Sequence, residues 1–171
     1  MKLREVAKVP YPPEMEQVRW MKRLRVENYT VRADGTVDVD GDAIITSEQY
    51  HGPFTLPVQF GIVQGEFGCY VPTVTSLRGM PERIGNDFAC RYIHSFHGVE
   101  TIIKYIGRSV YIDPTATHIL GFLLIEGIRN FAIDGTGGKL NKIMNKYKGT
   151  GDIISAQDEL IDAGFKEQAR L

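Results

Sequence analysis

The chain has few of the features that mark secreted and membrane proteins. Its 171 residues include two cysteines, too few for the disulfide framework of a small secreted domain. No apolar run reaches the roughly 18 residues that a membrane-spanning helix needs. The opening residues, MKLREVAKVPYPPEME, have neither the apolar core nor the small-residue cleavage site of a secretory signal. We therefore expect a cytoplasmic protein with reduced thiols and no membrane contact.

The chain also lacks a dominant sign of charge. Its 20 basic and 21 acidic residues leave a formal net charge of −1, which argues against a general nucleic-acid binder and against an acidic DNA mimic. Its length corresponds to one domain. We predict a single domain over 1–171, with a lead and N-terminal helix at 1–28, a repeat region at 29–134 and a helical C-terminal region at 135–171.

A repeat fills the middle of the chain. Apolar residues recur at spacings of 21, 22 and 21 in two parallel series, Phe67, Phe88, Val110 and Phe131, and Cys69, Cys90, Ile112 and Ile133. A fixed period of this size predicts stacked units. Because strand residues alternate between faces, each series should form a ladder in the core while the residues between them face outward. The segment 39–45 resembles 63–67 and predicts a first unit at an offset of 24.

Helical patterns flank the repeat. After an extended lead at 1–12, Pro13 and a near-helical apolar spacing predict a helix at about 13–26. Apolar residues from Leu140 to Tyr147 predict a second helix, and Asp152 is a candidate N-cap for a third. Repeat arrays need terminal caps, so we expect these helices to cover both ends. The predicted fold is a short right-handed solenoid of about four coils, each with one short strand, a glycine turn and an irregular outer segment.

The stretch Thr75–Cys90, TSLRGMPERIGNDFAC, is the best-preserved unit. It resembles the repeat of leucine-rich-repeat-like proteins encoded by many tailed bacteriophages. The matching residues are Thr75, Ser76, Leu77, Gly79, Pro81, Ile84, Gly85, Phe88 and Cys90, with Asn86 in place of a second glycine. The segments 27–42 and 152–165 are similar to the ends of those proteins, whereas the two later units depart from the pattern. The resemblance implies an α+β, leucine-rich-repeat-like β-solenoid that serves as a phage-encoded binding scaffold, without catalytic residues or cofactors.

Several residue groups could carry chemistry, but each has a plainer interpretation. Cys69 and Cys90 could form a disulfide, although packed thiols are favoured. His94 and His97, three residues apart, could share a metal on a helix, with His51 and His118 elsewhere in the chain, although a structural or surface role is favoured. The acidic run 38–42 opens like a calcium loop but lacks its closing glutamate, and the loop 135–139 lacks the full phosphate-loop spacing. The histidines are His51, His94, His97 and His118.

Basic residues gather at both ends of the chain and could contact nucleic acid or an acidic protein. The alternative is a solvated surface of the terminal helices, which the balanced net charge favours. The residues are Arg19, Lys22, Arg23 and Arg25 near the start, and Lys139, Lys142, Lys146 and Lys148 near the end.

The outward strand residues form the most informative group. Small residues surround tyrosines, an arginine and acids there, a composition typical of a recognition surface; a solvated face is the alternative. We predict a partner-binding patch made of Tyr70, Asp87, Arg91, Tyr92, Tyr111 and Asp113. The function expected is a non-enzymatic protein-interaction module, phage-encoded and directed at a host factor in the host cytoplasm, where it would serve takeover or counter-defence. A part in holding a phage assembly together and nucleic-acid binding through the basic ends are alternatives, and the chain would be a monomer or an edge-paired homodimer.

Overall fold

The computed structural model describes residues 13–52, 54–133, 135 and 138–171. Several sequence predictions lie outside these residues: the extended lead at 1–12, part of the breaker at Gly52-Pro53, the outward position of Asp134, and part of the glycine break at 135–138.

Two five-stranded sheets form the body of the described protein. In spatial order, the first sheet contains β1 (Tyr29–Val31), β2 (Val37–Val39), β4 (Phe60–Val63), β6 (Arg83–Ile84) and β8 (Tyr105–Ile106). The second contains β10 (Asn130–Ile133), β9 (Ser109–Ile112), β7 (Phe88–Cys90), β5 (Phe67–Tyr70) and β3 (Ala43–Thr46). The helices are α1 (Pro13–Arg23), α2 (Val99–Ile102), α3 (Lys139–Tyr147), α4 (Ile153–Asp162) and a 3-10 helix (Ile119–Leu124).

The predicted fold class is wrong. The structure is α/β with two parallel-type sheets, not an α+β, leucine-rich-repeat-like β-solenoid with one strand in each coil. The residues before each glycine turn, taken as irregular, form the first sheet. Val63 pairs with Ile84 and Ile84 with Ile106, and all three side chains are buried. An apolar residue thus lies on each side of the turn, and both contribute to the core.

The predicted register of the second sheet is observed. Phe67 pairs with Phe88, Phe88 with Val110, and Val110 with Phe131, all in parallel. The offset of 24 is also correct, since Ala43 pairs with Phe67. The Phe67 and Phe88 rings stack with centroids 6.2 Å apart and an interplanar angle of 12°. The repeat therefore specifies which residues meet in the core.

Glycine is required at the turns because neighbouring repeats approach closely there. A Cβ atom on Gly85 would lie 1.9 Å from the carbonyl oxygen of Gln64, and one on Gly107 would lie 2.0 Å from the carbonyl oxygen of Gly85. Backbone atoms cannot move aside as a flexible side chain can. These glycines therefore permit the tight stacking of successive turns.

Helix α1 begins where predicted but ends at Arg23 rather than near residue 26. Arg25 takes a left-handed conformation with φ of 54°, which a continuing helix excludes. Met21 and Leu24 are fully buried, whereas Met15 and Val18 are 50% and 43% exposed. The second half of the predicted apolar stripe therefore packs into the core, and the first half remains exposed.

Helix α3 covers the edge strand β10 with two asparagine side chains. Asn145 accepts a hydrogen bond from the Phe131 N–H at 2.9 Å and donates to the Phe131 carbonyl at 3.0 Å. Asn141 accepts from the Ile133 N–H at 2.6 Å. The helix thereby supplies the bonds that a further strand would make, and this edge is closed to pairing.

Candidate functional site

A concavity of about 540 Å³ opens on the outward face of the second sheet. We call it the sheet cavity. It brings together five of the six residues predicted to bind a partner, namely Tyr70, Asp87, Arg91, Tyr111 and Asp113. It is also lined by Glu66, Ala89, Cys90, Ile112, Pro114 and Ala132. Tyr92, the sixth predicted residue, is not part of this lining; it follows β7 and is 36% exposed.

Strand alternation gives the cavity its tyrosine walls and its small-residue floor. Tyr111 on β9 pairs with Ala89 on β7, and Ala89 pairs with Gly68 on β5. The Tyr70 ring leans over Gly68, since a Cβ atom on that glycine would lie 2.8 Å from Tyr70 Cε2. The two tyrosines therefore stand on either side of Ala89. Gly68 and Ala89 lack large side chains and leave the floor between the rings open.

An acidic row closes one end of the sheet cavity. Asp42 accepts a hydrogen bond from the Glu66 N–H at 2.7 Å, and Asp87 accepts from the Ser109 N–H at 2.9 Å. Each aspartate thus holds the backbone of the next strand. Among the described residues, the Glu66 carboxylate has neither a hydrogen bond nor an ion pair. Burial, then the charges of Asp87 and Asp42, raise the pKa of Glu66.

Asp87 has a structural role that the prediction did not foresee. Its second carboxylate oxygen lies 3.6 Å from Arg108 Nη1, and its side chain is only 14% exposed. Sequence reasoning conversely left Glu66 out of the predicted patch. The row of acids at equivalent repeat positions was a signal for it. The sequence does not show that Asp42 and Asp87 hydrogen-bond to backbone N–H groups while Glu66, among the described residues, does not.

Asp113 and Arg91 lie at the opposite end of the sheet cavity. Asp113 accepts hydrogen bonds from the Thr115 hydroxyl at 2.5 Å and from the Thr115 N–H at 2.8 Å. These bonds, with smaller contributions from His94 and Arg91, lower the pKa of Asp113. Arg91 is exposed. The cavity therefore has charged groups at both ends and an uncharged middle.

The two cysteines lie on the core ladder beneath this face. Cys69 pairs with Cys90, and both are buried and free, which agrees with the prediction of packed thiols. Burial raises the pKa of Cys90 well above its ordinary value. Cys90 thus remains protonated at neutral pH and packs as a small apolar group.

His97 and His118 lie in contact beside the hydroxyl groups of Ser95 and Thr117. The His97 and His118 rings meet edge to face with centroids 5.3 Å apart. His118 Nδ1 lies 3.0 Å from the Thr117 hydroxyl and 3.2 Å from that of Ser95. Among the described residues, no hydrogen bond or ion pair joins these histidines to a carboxylate, and no group of three or more His, Cys, Asp or Glu is placed to hold a metal ion.

Aspartates of the acidic run 38–42 form hydrogen bonds that connect neighbouring segments of the chain. Asp38 accepts hydrogen bonds from the Ile62 N–H and from Arg32 Nε, both at 2.8 Å. Asp42 makes a similar bond to the next strand. Asp40 and Asp42 are exposed, as the predicted solvated acidic face implies, so the run combines an exposed face with a structural role. The glycine loop before α3 lies partly outside the described residues.

The basic residues of the C-terminal helices are partly engaged. Lys146 forms an ion pair with Glu159 at 2.5 Å, and Lys148 donates to the carbonyl of Arg129. Lys139 and Lys142 are exposed. At the other end of the chain, the Arg23 guanidinium lies over the Trp20 ring. The two ends therefore carry fewer available cations than the sequence suggests.

None of the helices in the described parts of the chain has the length and apolar character needed to cross a bilayer. No family model matches the chain, and no curated protein or solved structure is similar to it.

Proposed function

We propose that the protein is a non-enzymatic interaction module that docks a partner protein on the sheet cavity. The observation that carries the proposal is the convergence of Tyr70, Arg91 and Tyr111 around a small-residue floor. Tyrosine and arginine are the residue types that most often dominate binding energy at protein interfaces. Because Tyr111 is 43% exposed, docking would remove a large aromatic surface from water.

The proposal also covers the origin of the protein, its partner and the compartment in which they meet. The phage origin rests on the resemblance of Thr75–Cys90 to proteins of tailed bacteriophages. We propose that the partner is a host factor and that the two proteins meet in the host cytoplasm. The module acts as a monomer or as a homodimer paired through another sheet edge, because α3 covers the β10 edge.

The test is affinity capture from lysates of candidate host bacteria, followed by calorimetry with the identified partner. Tyr111→Ala and Arg91→Glu should each weaken binding by at least about thirtyfold, the loss expected for truncation of a dominant interface residue. Tyr92→Ala is the matched control and should leave the affinity unchanged. A partner that binds all three variants as it binds the wild type would contradict the proposal.

Nucleic-acid binding through the basic ends is a second proposal with less support. Lys139 and Lys142 are exposed, but Lys146 and Lys148 already have partners within the C-terminal region. Binding of this kind would weaken steeply with salt, because it releases counterions. A gel-shift titration at low salt that shows no complex would dispose of it.

A further inference from the structure

Part of the sheet cavity forms a slot, with Tyr70 and Tyr111 as its walls. Their strands are separated by β7 and lie about 9.5 Å apart. Tyr70 is two residues beyond the register of Gly68, Ala89 and Tyr111, and its ring leans back over Gly68. Ala89 forms the floor between them. A group that packs against both rings at van der Waals distance needs about 7–8 Å between them. A planar or extended side chain needs the least room between two such walls.

The charges around this slot favour a cation. The lining includes the carboxylates of Glu66, Asp87 and Asp113 and one guanidinium, that of Arg91. Asp87 already accepts a backbone hydrogen bond and lies 3.6 Å from the Arg108 guanidinium, and Asp113 also accepts a backbone hydrogen bond. Glu66 has no hydrogen bond or ion pair within the described part of the chain, so it is the carboxylate left to attract a cation. A partner that covered Glu66 with an apolar group would bury an uncompensated charge at high cost. A cation would remove that cost.

We propose that the slot takes one arginine side chain of the partner protein, stacked between Tyr70 and Tyr111 and hydrogen-bonded to Glu66. This inference rests on the proposed function. A guanidinium is planar, stacks on aromatic faces and binds carboxylates through two parallel hydrogen bonds. The described part of the chain shows such contacts itself. The Arg23 guanidinium lies over the Trp20 ring, and Arg83 Cζ lies 4.6 Å from the centre of the Tyr105 ring on the first sheet.

The test uses small probes and needs no identified partner. Nα-acetylarginine methylamide is titrated into ¹⁵N-labelled protein, and the amide resonances of Gly68 and Ala89 are followed. The citrulline analogue is the matched probe, because it keeps the length and planarity of arginine but lacks its charge. We expect saturable shifts with arginine and binding about tenfold weaker or more with citrulline, the loss of one charge-assisted hydrogen bond. Equal affinity for the two probes, or no saturable shift at these residues, would overturn the inference.

Protein variants give the second arm. Glu66→Gln should weaken the arginine probe by about tenfold or more. Glu126→Gln, at an exposed residue beside the first sheet, should leave it unchanged. Thermal unfolding of both variants confirms that they are folded. Arginine affinity that survives Glu66→Gln in a folded protein would overturn the inference.

The two proposals fail in different ways. In the first case, a captured partner binds Glu66→Gln as it binds the wild type but fails to bind Tyr111→Ala. That result would support docking on the sheet cavity and refute the proposal that an arginine fills the slot. The opposite result is a partner whose affinity is unchanged by Tyr111→Ala, combined with saturable binding of the arginine probe in the slot. It would refute docking on the sheet cavity and support arginine binding in the slot.

Discussion

The asparagines of α3 offer a sharp test of how the second sheet ends. Asn145→Ala removes the partner of both the N–H and the carbonyl of Phe131. An unsatisfied buried donor or acceptor costs about 1–3 kcal/mol. Because Asn145 is half-buried, water can replace part of the loss. We therefore expect the free energy of unfolding to fall by about 2–4 kcal/mol.

A pair of aspartate substitutions separates hydrogen bonding from packing. Asn141 uses its side-chain oxygen as an acceptor for Ile133, so Asn141→Asp should cost less than about 1 kcal/mol. Asn145 also donates, to the carbonyls of Phe131 and Asn141. In Asn145→Asp a carboxylate oxygen replaces the donating NH₂ group and repels those carbonyl oxygens, so the free energy of unfolding should fall by about 2 kcal/mol or more.

Urea denaturation followed by circular dichroism measures each difference. The control is Asn130→Ala on β10 itself, where the side chain is exposed and the expected change lies within about 0.5 kcal/mol. Equal losses for Asn141→Asp and Asn145→Asp would show that α3 holds the edge by packing alone, and would refute this account of the backbone bonds.

Two further predictions concern the glycine turns and the acidic row. Gly85→Ala should destabilise the protein by several kcal/mol in the same urea assay, because its Cβ would overlap the carbonyl oxygen of Gln64. In the control, Gly121→Ala, the new Cβ meets chiefly the movable tip of the Glu100 side chain at 2.2 Å, so the loss of stability should be smaller. A larger loss for Gly121→Ala than for Gly85→Ala would contradict the close approach of the turns. The raised pKa of Glu66, caused by burial and then by neighbouring carboxylates, means that ionised Glu66 opposes folding. Wild-type stability should therefore fall relative to Glu66→Gln as the pH rises through that pKa, and the two should converge in acid; thermal unfolding at several pH values that shows the opposite trend would refute the assignment.

Local signals specified the flanking elements. Pro13 and the apolar spacing after it predict α1, and Asp152 accepts a hydrogen bond from the Ser155 N–H at 3.1 Å, as its position as an N-cap implies. Asp34-Gly35 predicts the turn that joins the antiparallel strands β1 and β2. These predictions succeed because capping and turn formation depend on residues a few positions apart.

The first sheet escaped sequence reasoning. Strands β6 and β8 are two residues long, too short for an alternating pattern to be read. Their pairing depends on stacking between repeats, which is not local. The candidate site is likewise predictable from the sequence only in part. Alternation along the strands predicts that Tyr70 and Tyr111 face outward, but which carboxylate remains unpaired depends on how Glu66 and Asp87 meet the backbone of the next strand.

The order of the repeat, the residues of the core ladder from Phe67 to Phe131 and the register in which they pair all follow from the amino-acid sequence. They do so because a fixed period brings equivalent residues together whatever the path between them. Three outcomes appear only in the folded chain. The repeats from β2 to β9 contribute one strand to each of two sheets, α3 closes one edge with asparagines, and Glu66 remains available at the sheet cavity. Those outcomes depend on distances between residues about 20 or more positions apart or on separate elements, which no local pattern encodes.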